Sequence, residues 1–110
     1  VIHPALPGCP GHEVWKRDFS GASGLFGLLL DEMSQAEMAC FLDPMRLFKL
    51  GSSWGGYESL IVPAWPAPIR TVSPVPAGTL LRVHAGLEEP RDLVADLQAA
   101  FDRLRAVRRQ

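Results

Sequence analysis

The sequence has little of what several classes of protein require. It contains two cysteines, two lysines (Lys16 and Lys49) and 11 basic residues against 12 acidic ones, for a net charge of −1. That balance argues against a general nucleic-acid binder, which would need a basic excess. No apolar run approaches the roughly 20 residues that span a bilayer, and the N-terminus lacks the basic start and apolar core of a signal peptide. We therefore expect neither a nucleic-acid nor a membrane partner.

Metal-binding and disulfide patterns are also missing. Cys9 and Cys40 form no Cys-x-x-Cys motif, which predicts free thiols in a reducing cytoplasm. His3, His12 and His84 are scattered without the spacing of metal ligands, so no zinc site is predicted.

What the sequence does contain is the pattern of one globular domain. Hydrophobic residues make up 47% of the chain, too many for disorder. Apolar spacing predicts helices over 12–19 and 34–43 and from Pro90 onward, and strands over 25–30, 47–50, 59–62 and 80–85. Residues 1–24 form a lead-in segment, irregular over 1–13. The order favours an α+β fold, a small, mostly antiparallel sheet with helices on one face.

Local signals set several of these boundaries. Ser34 and Glu37 have the spacing of a capping box, and Pro44 cannot continue that helix. Pro63 is predicted to stop the strand before it. Residues 63–78 contain five prolines and are predicted to form a surface connection with little regular structure.

Periodicity also predicts which side chains are buried. Val14, Trp15 and Phe19 fall on one side of the first helix, and we assign Trp15 and Phe19 to the core with Phe26 and the 25–30 run. The last helix repeats apolar residues at intervals near 3.6, so one face is expected to be buried. That face consists of Leu93, Val94, Leu97, Phe101 and Leu104. A cluster of arginines near its end complements the helix dipole. They are Arg103, Arg105, Arg108 and Arg109.

The segment Gly51–Tyr57 reads Gly-Ser-Ser-Trp-Gly-Gly-Tyr, and its three glycines indicate a backbone brought close to another group. Gly51, Ser53 and Gly55 match the Gly-x-Ser-x-Gly pattern of a nucleophile elbow. An elbow needs a strand, a sharp turn and then a helix, whereas a strand-like stretch and Pro63 follow here. We therefore do not interpret Ser53 as a nucleophile.

Arg82 is an isolated cation inside an apolar strand. Period-2 alternation places Leu80, Arg82 and His84 on one face, with Leu81 and its alternate neighbours on the other. One interpretation is a solvent-facing cation that can pair with Glu88. The other is a guanidinium that grips a carboxylate with two parallel hydrogen bonds.

For the neighbouring candidate residues, a structural and a functional interpretation are likewise both open. Trp54 and Tyr57 can pack as ordinary aromatic residues or line a site. His84 fits a hydrogen-bonded interior histidine better than a catalyst.

Several segments together resemble the C-terminal part of the cystathionine β-lyases, members of the transsulfuration enzymes of Cys/Met metabolism. The similar segments, in matching order, are His3–Pro7, Gly11–Phe19, Ser23–Phe26, Ser53–Leu60, Leu81–Glu88 and Asp92–Leu97 with Phe101. They cover almost the whole chain. Trp54, Tyr57 and His84 favour the β-lyase branch, because the related γ-synthases and γ-lyases usually carry other residues there.

The resemblance implies a fold, a cofactor and a reaction. The fold would be that of the C-terminal small domain of fold-type I enzymes that depend on pyridoxal 5'-phosphate. A parent enzyme would cleave the Cβ–S bond of L-cystathionine to homocysteine, pyruvate and ammonia, in methionine biosynthesis. We expect that parent to be a homo-oligomer.

The resemblance also implies roles for single residues. Arg82 would bind the substrate α-carboxylate. The Ser53 backbone and the Trp54 indole would help to frame that carboxylate. Ser52 stands where some members have tyrosine.

The groups that hold the cofactor in this family match nothing in residues 1–110. Lys16 and Lys49 lie outside any motif that matches the cofactor lysine. We therefore predict that the chain has no catalytic or cofactor-binding residue of its own and no lyase activity alone. A large cofactor-binding domain would be its missing partner. Alternatives are a related γ-synthase or γ-lyase, and an α+β interaction module without catalysis.

Overall fold

The computed structural model describes residues 1–65, 70–74 and 76–110. Within these ranges, three strands form one sheet and three helices accompany it. In chain order the elements are α1 (His12–Asp18), β1 (Leu25–Leu30), α2 (Gln35–Leu42), β2 (Leu60–Ala64), β3 (Thr79–His84) and α3 (Pro90–Arg108). The predicted α+β fold is confirmed.

The last strand, β3, lies in the centre of the sheet, and both of its neighbours run antiparallel to it. Its side chains alternate between two faces, as the sequence predicts. Leu81 and Val83 are fully buried in the core. Arg82 lies on the opposite face, between Gly27 of β1 and Val62 of β2.

The hydrophobic core fills the space between one sheet face and the two longer helices, α2 and α3. It is formed by Leu28, Met33, Phe41, Leu42, Phe48, Ile61, Leu81, Val83, Leu93, Ala100 and Leu104. The rings of Phe41 and Phe101 meet edge to face at 5.1 Å, which joins α2 to α3.

Helix α2 has its ends fixed by side chains. Ser34 Oγ accepts from the Glu37 amide, and Glu37 accepts from the Ser34 amide, so the predicted capping box is confirmed. At the other end, Arg103 of α3 donates to the carbonyls of Cys40 and Phe41 at 3.1 and 3.0 Å. These carbonyls have no partner within a helix that ends there. Arg103 therefore caps a different helix, beyond the dipole role predicted for the arginine cluster.

The predicted strand over 47–50 is wrong. Only Lys49 forms a bridge, a parallel one to Leu60. The amides of Leu47 and Phe48 donate instead to the carboxylate of Asp96 on α3, at 2.8 and 3.1 Å. Because these donors are already bonded, they cannot form a strand ladder.

Pro63 does not stop a strand, as was predicted, but lies inside β2 opposite Leu81. Proline lacks the backbone N–H that a central strand would need, and β2 is an edge strand, where this is tolerated. Pro66 and Pro68 of the predicted connection lie outside the described residues.

Two predicted core positions, Phe19 and Val94, are exposed, as is Val14 on the same side of α1. Val14 and Phe19 are 52% and 65% exposed, because α1 has seven residues and buries none of them. Trp15 is half-buried. Val94 is 66% exposed, because the buried face of α3 is rotated toward Asp96 and Ala100.

Candidate functional site

The segment from Leu50 to Ser59 is a loop whose two ends are held together. The Lys49 amide donates to the Ser59 carbonyl at 3.1 Å, and the Ile61 amide donates to the Lys49 carbonyl at 2.9 Å. The residues directly before Lys49 in the sequence are fixed by Asp96, which accepts from three successive amides, those of Arg46, Leu47 and Phe48. The Gly51–Tyr57 stretch is therefore a closed loop on a fixed base.

Arg82 and this loop are in direct contact. Arg82 Nη2 donates to the carbonyls of Gly51 and Ser52, at 3.2 and 2.8 Å. The side chain is half-buried, and Gly27 beside it on β1 adds no side chain that would cover it. The two stretches singled out in the sequence thus meet in space.

The alternative pairing of Arg82 with Glu88 is wrong. Glu88 accepts from Ser59 Oγ at 2.5 Å and from the Ser59 amide at 3.4 Å. The hydrogen bond from the Ser59 hydroxyl holds the pKa of Glu88 below its ordinary value. Among the described residues, no carboxylate lies within salt-bridge distance of Arg82.

Ser59 and Gly86 form a second attachment of the loop, which the sequence analysis missed. Ser59 Oγ also accepts from the Gly86 amide at 2.9 Å, and the Leu87 amide donates to the Tyr57 carbonyl at 2.9 Å. A Cβ on Gly86 would stand 2.3 Å from the Tyr57 carbonyl oxygen, so only glycine permits this approach. The signal was present, since Gly86 comes two residues after the end of β3, the strand that carries Arg82.

His84 lies on the same face of β3 as Arg82, two residues further on. It is 6% exposed, and its Nε2 contacts the Gly56 carbonyl at 3.2 Å. Its ring centroid is 5.8 Å from that of Trp54. The interpretation as a hydrogen-bonded interior histidine is confirmed. Its Nδ1 is the one buried side-chain N or O atom without a hydrogen-bond partner in the described part of the chain.

The remaining residues of the loop face outward. Ser53 is exposed, and Trp54 and Tyr57 are 44% and 70% exposed. Ser53, Tyr57 and Glu58 line a shallow pocket of about 190 Å³. No helix follows the loop before β2, so the Gly-x-Ser-x-Gly match does not form a nucleophile elbow.

A wider, open cleft of about 980 Å³ lies between the start of the chain and α1, away from Arg82. Val14, Trp15, Phe19 and Leu25 line it, together with His3 and other residues of the lead-in segment. Its walls are mainly apolar and provide no pair of groups for acid–base chemistry.

Within residues 1–65, 70–74 and 76–110, no group of three or more His, Cys, Asp or Glu side chains is placed to hold a metal ion. In the same ranges, no helix is both long and apolar enough to cross a bilayer. Cys9 and Cys40 are free thiols, as predicted.

Comparison with known proteins gives consistent matches. The family model for Cys/Met metabolism PLP-dependent enzymes matches residues 1–102. Cystathionine β-lyases of Salmonella typhimurium and Escherichia coli are each 50% identical to this chain in an alignment 109 residues long. The alignment covers 94% of the chain and 28% of each relative. The chain thus spans 28% of the length of these curated relatives.

A solved structure matches as well. Cystathionine γ-synthase from Xanthomonas oryzae pv. oryzae, in complex with aminoacrylate and cysteine, has a TM-score of 0.76 and 35% identity. The match covers 94% of this chain and 28% of that structure. The fold is therefore that of a segment within a PLP-dependent enzyme.

The residues of this chain do not by themselves fit a site for pyridoxal phosphate. A lysine that forms a Schiff base is activated by a desolvated or cationic environment. Lys16 on α1 and Lys49 at the loop base are both exposed, and these are the two lysines of the sequence. What the chain offers is a cation, Arg82, bonded to the Gly51 and Ser52 carbonyls of an exposed loop.

Proposed function

Because the chain belongs to the family of Cys/Met metabolism PLP-dependent enzymes, we propose that residues 1–110 are the C-terminal small domain of a longer carbon–sulfur β-lyase. That parent cleaves L-cystathionine to homocysteine, pyruvate and ammonia. The span of 28% of the β-lyase relatives supports a missing large domain. An encoding reading frame with an upstream domain and its cofactor lysine is the direct check. A native start near Val1 would favour a free-standing module instead.

We assign the binding of the substrate α-carboxylate to Arg82. The observation that carries this assignment is a half-buried guanidinium without an acidic partner in the described residues, bonded only to the loop carbonyls of Gly51 and Ser52. A guanidinium presents donors in a planar fork that matches a carboxylate. A cation that is partly removed from water is stabilised by pairing with an anion.

Ser53 and Trp54 frame the same carboxylate in this proposal. Both belong to the loop that Arg82 touches, and both are exposed rather than packed into the core. The Ser53 amide is a backbone donor on the loop, and the Trp54 indole N–H is a second one.

The role of this domain is orientation. Pyridoxal phosphate, bound by the rest of the parent, supplies an electron sink that labilises bonds to Cα. Holding the carboxylate fixes the rotation of the substrate about that carbon, so that one bond is aligned for cleavage. Arg82 thus contributes to the rate without being a general acid or base.

Replacement of Arg82 in the parent enzyme tests the proposal. Arg82→Ala removes charge-assisted hydrogen bonds, so we expect kcat/KM for L-cystathionine to fall about 100-fold or more. Arg82→Lys keeps the charge but not the planar fork of donors, so its kcat/KM should lie between those of the wild type and Arg82→Ala. Arg105→Ala, an exposed arginine on α3, is the matched control and should leave kcat/KM unchanged. A wild-type kcat/KM for Arg82→Ala would refute the assignment.

A related γ-type activity is the second candidate, supported by the similarity to the γ-synthase structure. The products separate the two reactions. Cleavage at Cβ–S leaves three-carbon pyruvate, whereas cleavage at Cγ–S leaves a four-carbon 2-oxo acid. We expect pyruvate from the parent enzyme and L-cystathionine. A four-carbon 2-oxo acid as the main product would favour the γ-type.

A further inference from the structure

Two side chains of β3 hold the Gly51–Tyr57 loop at opposite ends. Arg82 is bonded to the first two carbonyls of the loop, those of Gly51 and Ser52. His84 is bonded to the carbonyl of Gly56, near its end. The residues between them include Ser53 and Trp54.

The bonds made by Arg82 conflict with its proposed ligand. An arginine carries one hydrogen on Nε and two on each terminal nitrogen. A bidentate carboxylate uses either the Nε and Nη2 pair or the Nη1 and Nη2 pair, so both arrangements need a hydrogen of Nη2. Both loop carbonyls accept from Nη2. A carboxylate bound in this way therefore competes with them for the hydrogens of Nη2.

The bond made by His84 does not conflict with that ligand. The Gly56 carbonyl can only accept, so His84 Nε2 donates the hydrogen of this bond. The imidazole is 6% exposed, with Leu25 and Leu60 as its cross-strand neighbours and the Trp54 ring 5.8 Å away. The end of the loop is therefore attached through a buried and fixed donor.

We propose that His84 is a positioning residue of the carboxylate site. It keeps Gly56 and Trp54 in place while Arg82 exchanges the carbonyls of Gly51 and Ser52 for the carboxylate of an amino-acid substrate. This inference rests on the proposed function, since it assumes that a carboxylate reaches Arg82. It also explains why the two residues share one face of one strand.

The test measures loop order in the 110-residue protein by ¹⁵N relaxation, without ligand and with L-alanine. L-alaninamide, which lacks the carboxylate, is the control ligand. His84→Gln keeps an amide N–H near the position of Nε2, whereas His84→Asn carries it too close to the backbone to reach Gly56. His12→Ala is the matched control variant, because His12 also contacts a carbonyl, that of Pro4, and a tryptophan ring at 5.8 Å.

In the wild type, His84→Gln and His12→Ala, order parameters of 54–56 should stay near the rigid value of about 0.85, with or without L-alanine. In His84→Asn the order parameters of 54–56 should fall below about 0.6. Once L-alanine is present, the low order parameters should extend along the loop to Ser52. The side-chain ¹⁵N shifts of His84 should report an Nε2–H tautomer. An unchanged loop in His84→Asn, or an Nδ1–H tautomer, would overturn the proposal.

The Arg82 Nε resonance separates this proposal from the proposed function. L-alanine should shift it and L-alaninamide should not. Should L-alanine leave it unmoved in every variant, carboxylate binding at Arg82 fails, and the ligand-free comparison still decides whether His84 holds the loop. Should it shift while His84→Asn keeps an ordered loop, carboxylate binding stands and the role of His84 fails.

Discussion

At the scale of single residues, Asp96 does more than any apolar residue to place the candidate site. Its carboxylate accepts from the amides of Arg46, Leu47 and Phe48, just before the loop begins. Burial alone would raise its pKa, but these three bonds, with the charge of Arg103, bring the pKa of Asp96 below its ordinary value. Asp96 is thus stabilised as an anion inside the fold.

Asp96→Ala should therefore be among the most destabilising polar substitutions. It leaves three amides without their acceptor, for which we expect a loss of about 2–4 kcal/mol in the free energy of unfolding. Asp96→Asn keeps one oxygen and should lose less. Urea denaturation at pH 7 measures both, with the exposed Asp102→Asn as the control. A loss below about 0.5 kcal/mol for Asp96→Ala would contradict this role.

The same group gives a pH dependence of known sign. A carboxylate whose pKa is lower in the folded state adds stability above its unfolded pKa of about 3.9, and that stability is lost as pH falls through the folded pKa. Asp96→Asn should therefore flatten the decline in stability below about pH 4, while costing stability at pH 7.

A closer inspection of the sequence could have identified Asp96, but not its partners. It falls on the buried face of α3 with Leu93, Ala100 and Leu104, and an acid on an apolar stripe signals a buried bond. Its partners lie 48–50 residues away in sequence. Separation of that size leaves no local pattern, and for this reason the strand over 47–50 was predicted wrongly.

At the scale of elements, signals confined to a few neighbouring residues were predicted well. The capping box of α2, the proline that begins α3 and the alternation along β3 all depend on short spacings. Burial was predicted less well, because it depends on what packs against an element. Phe19 and Val94 are apolar and periodic yet exposed, since nothing in the described residues covers them.

Ser34→Ala should destabilise the protein by about 1 kcal/mol, because the Glu37 amide loses its acceptor at the start of α2. Glu37 also bonds Arg108 near the end of α3, at 2.9 Å. Thermal unfolding measures the effect, with exposed Ser20→Ala as the control. Arg108→Ala can be introduced into both the wild type and the Ser34→Ala variant. If it destabilises the Ser34→Ala variant less than the wild type, the cap and the ion pair act together. An unchanged melting temperature for Ser34→Ala would contradict the capping role.

At the scale of the whole molecule, apolar surface stays exposed on the side of the candidate site and at the N-terminal cleft. Tyr57, Leu87 and Phe19 are 70%, 85% and 65% exposed.

The resemblance across many segments identified the family, which packing patterns alone could not. The contact between Arg82 and the loop is a product of the fold, and spacing in the sequence could not predict it.

We expect the 110-residue protein to self-associate through this surface, because exposed apolar patches favour association. Sedimentation velocity over a concentration series should show a rising average mass. Phe19→Ser, in the cleft, should reduce the rise, whereas Val72→Ser, at a residue that is 93% exposed and does not line the cleft, should not. Monomers at every concentration would contradict the expectation.

The pairing of Ile2 with Gly27 has a practical consequence. Two backbone hydrogen bonds, of 2.8 and 3.0 Å, hold Ile2 alongside β1, so any residues joined ahead of Val1, whether the proposed large domain or an affinity tag, must approach along this edge of the sheet. The other terminus is free of this constraint, since Arg109 and Gln110 are exposed beyond the end of α3. Purification tags and surface-immobilisation handles therefore belong after Gln110.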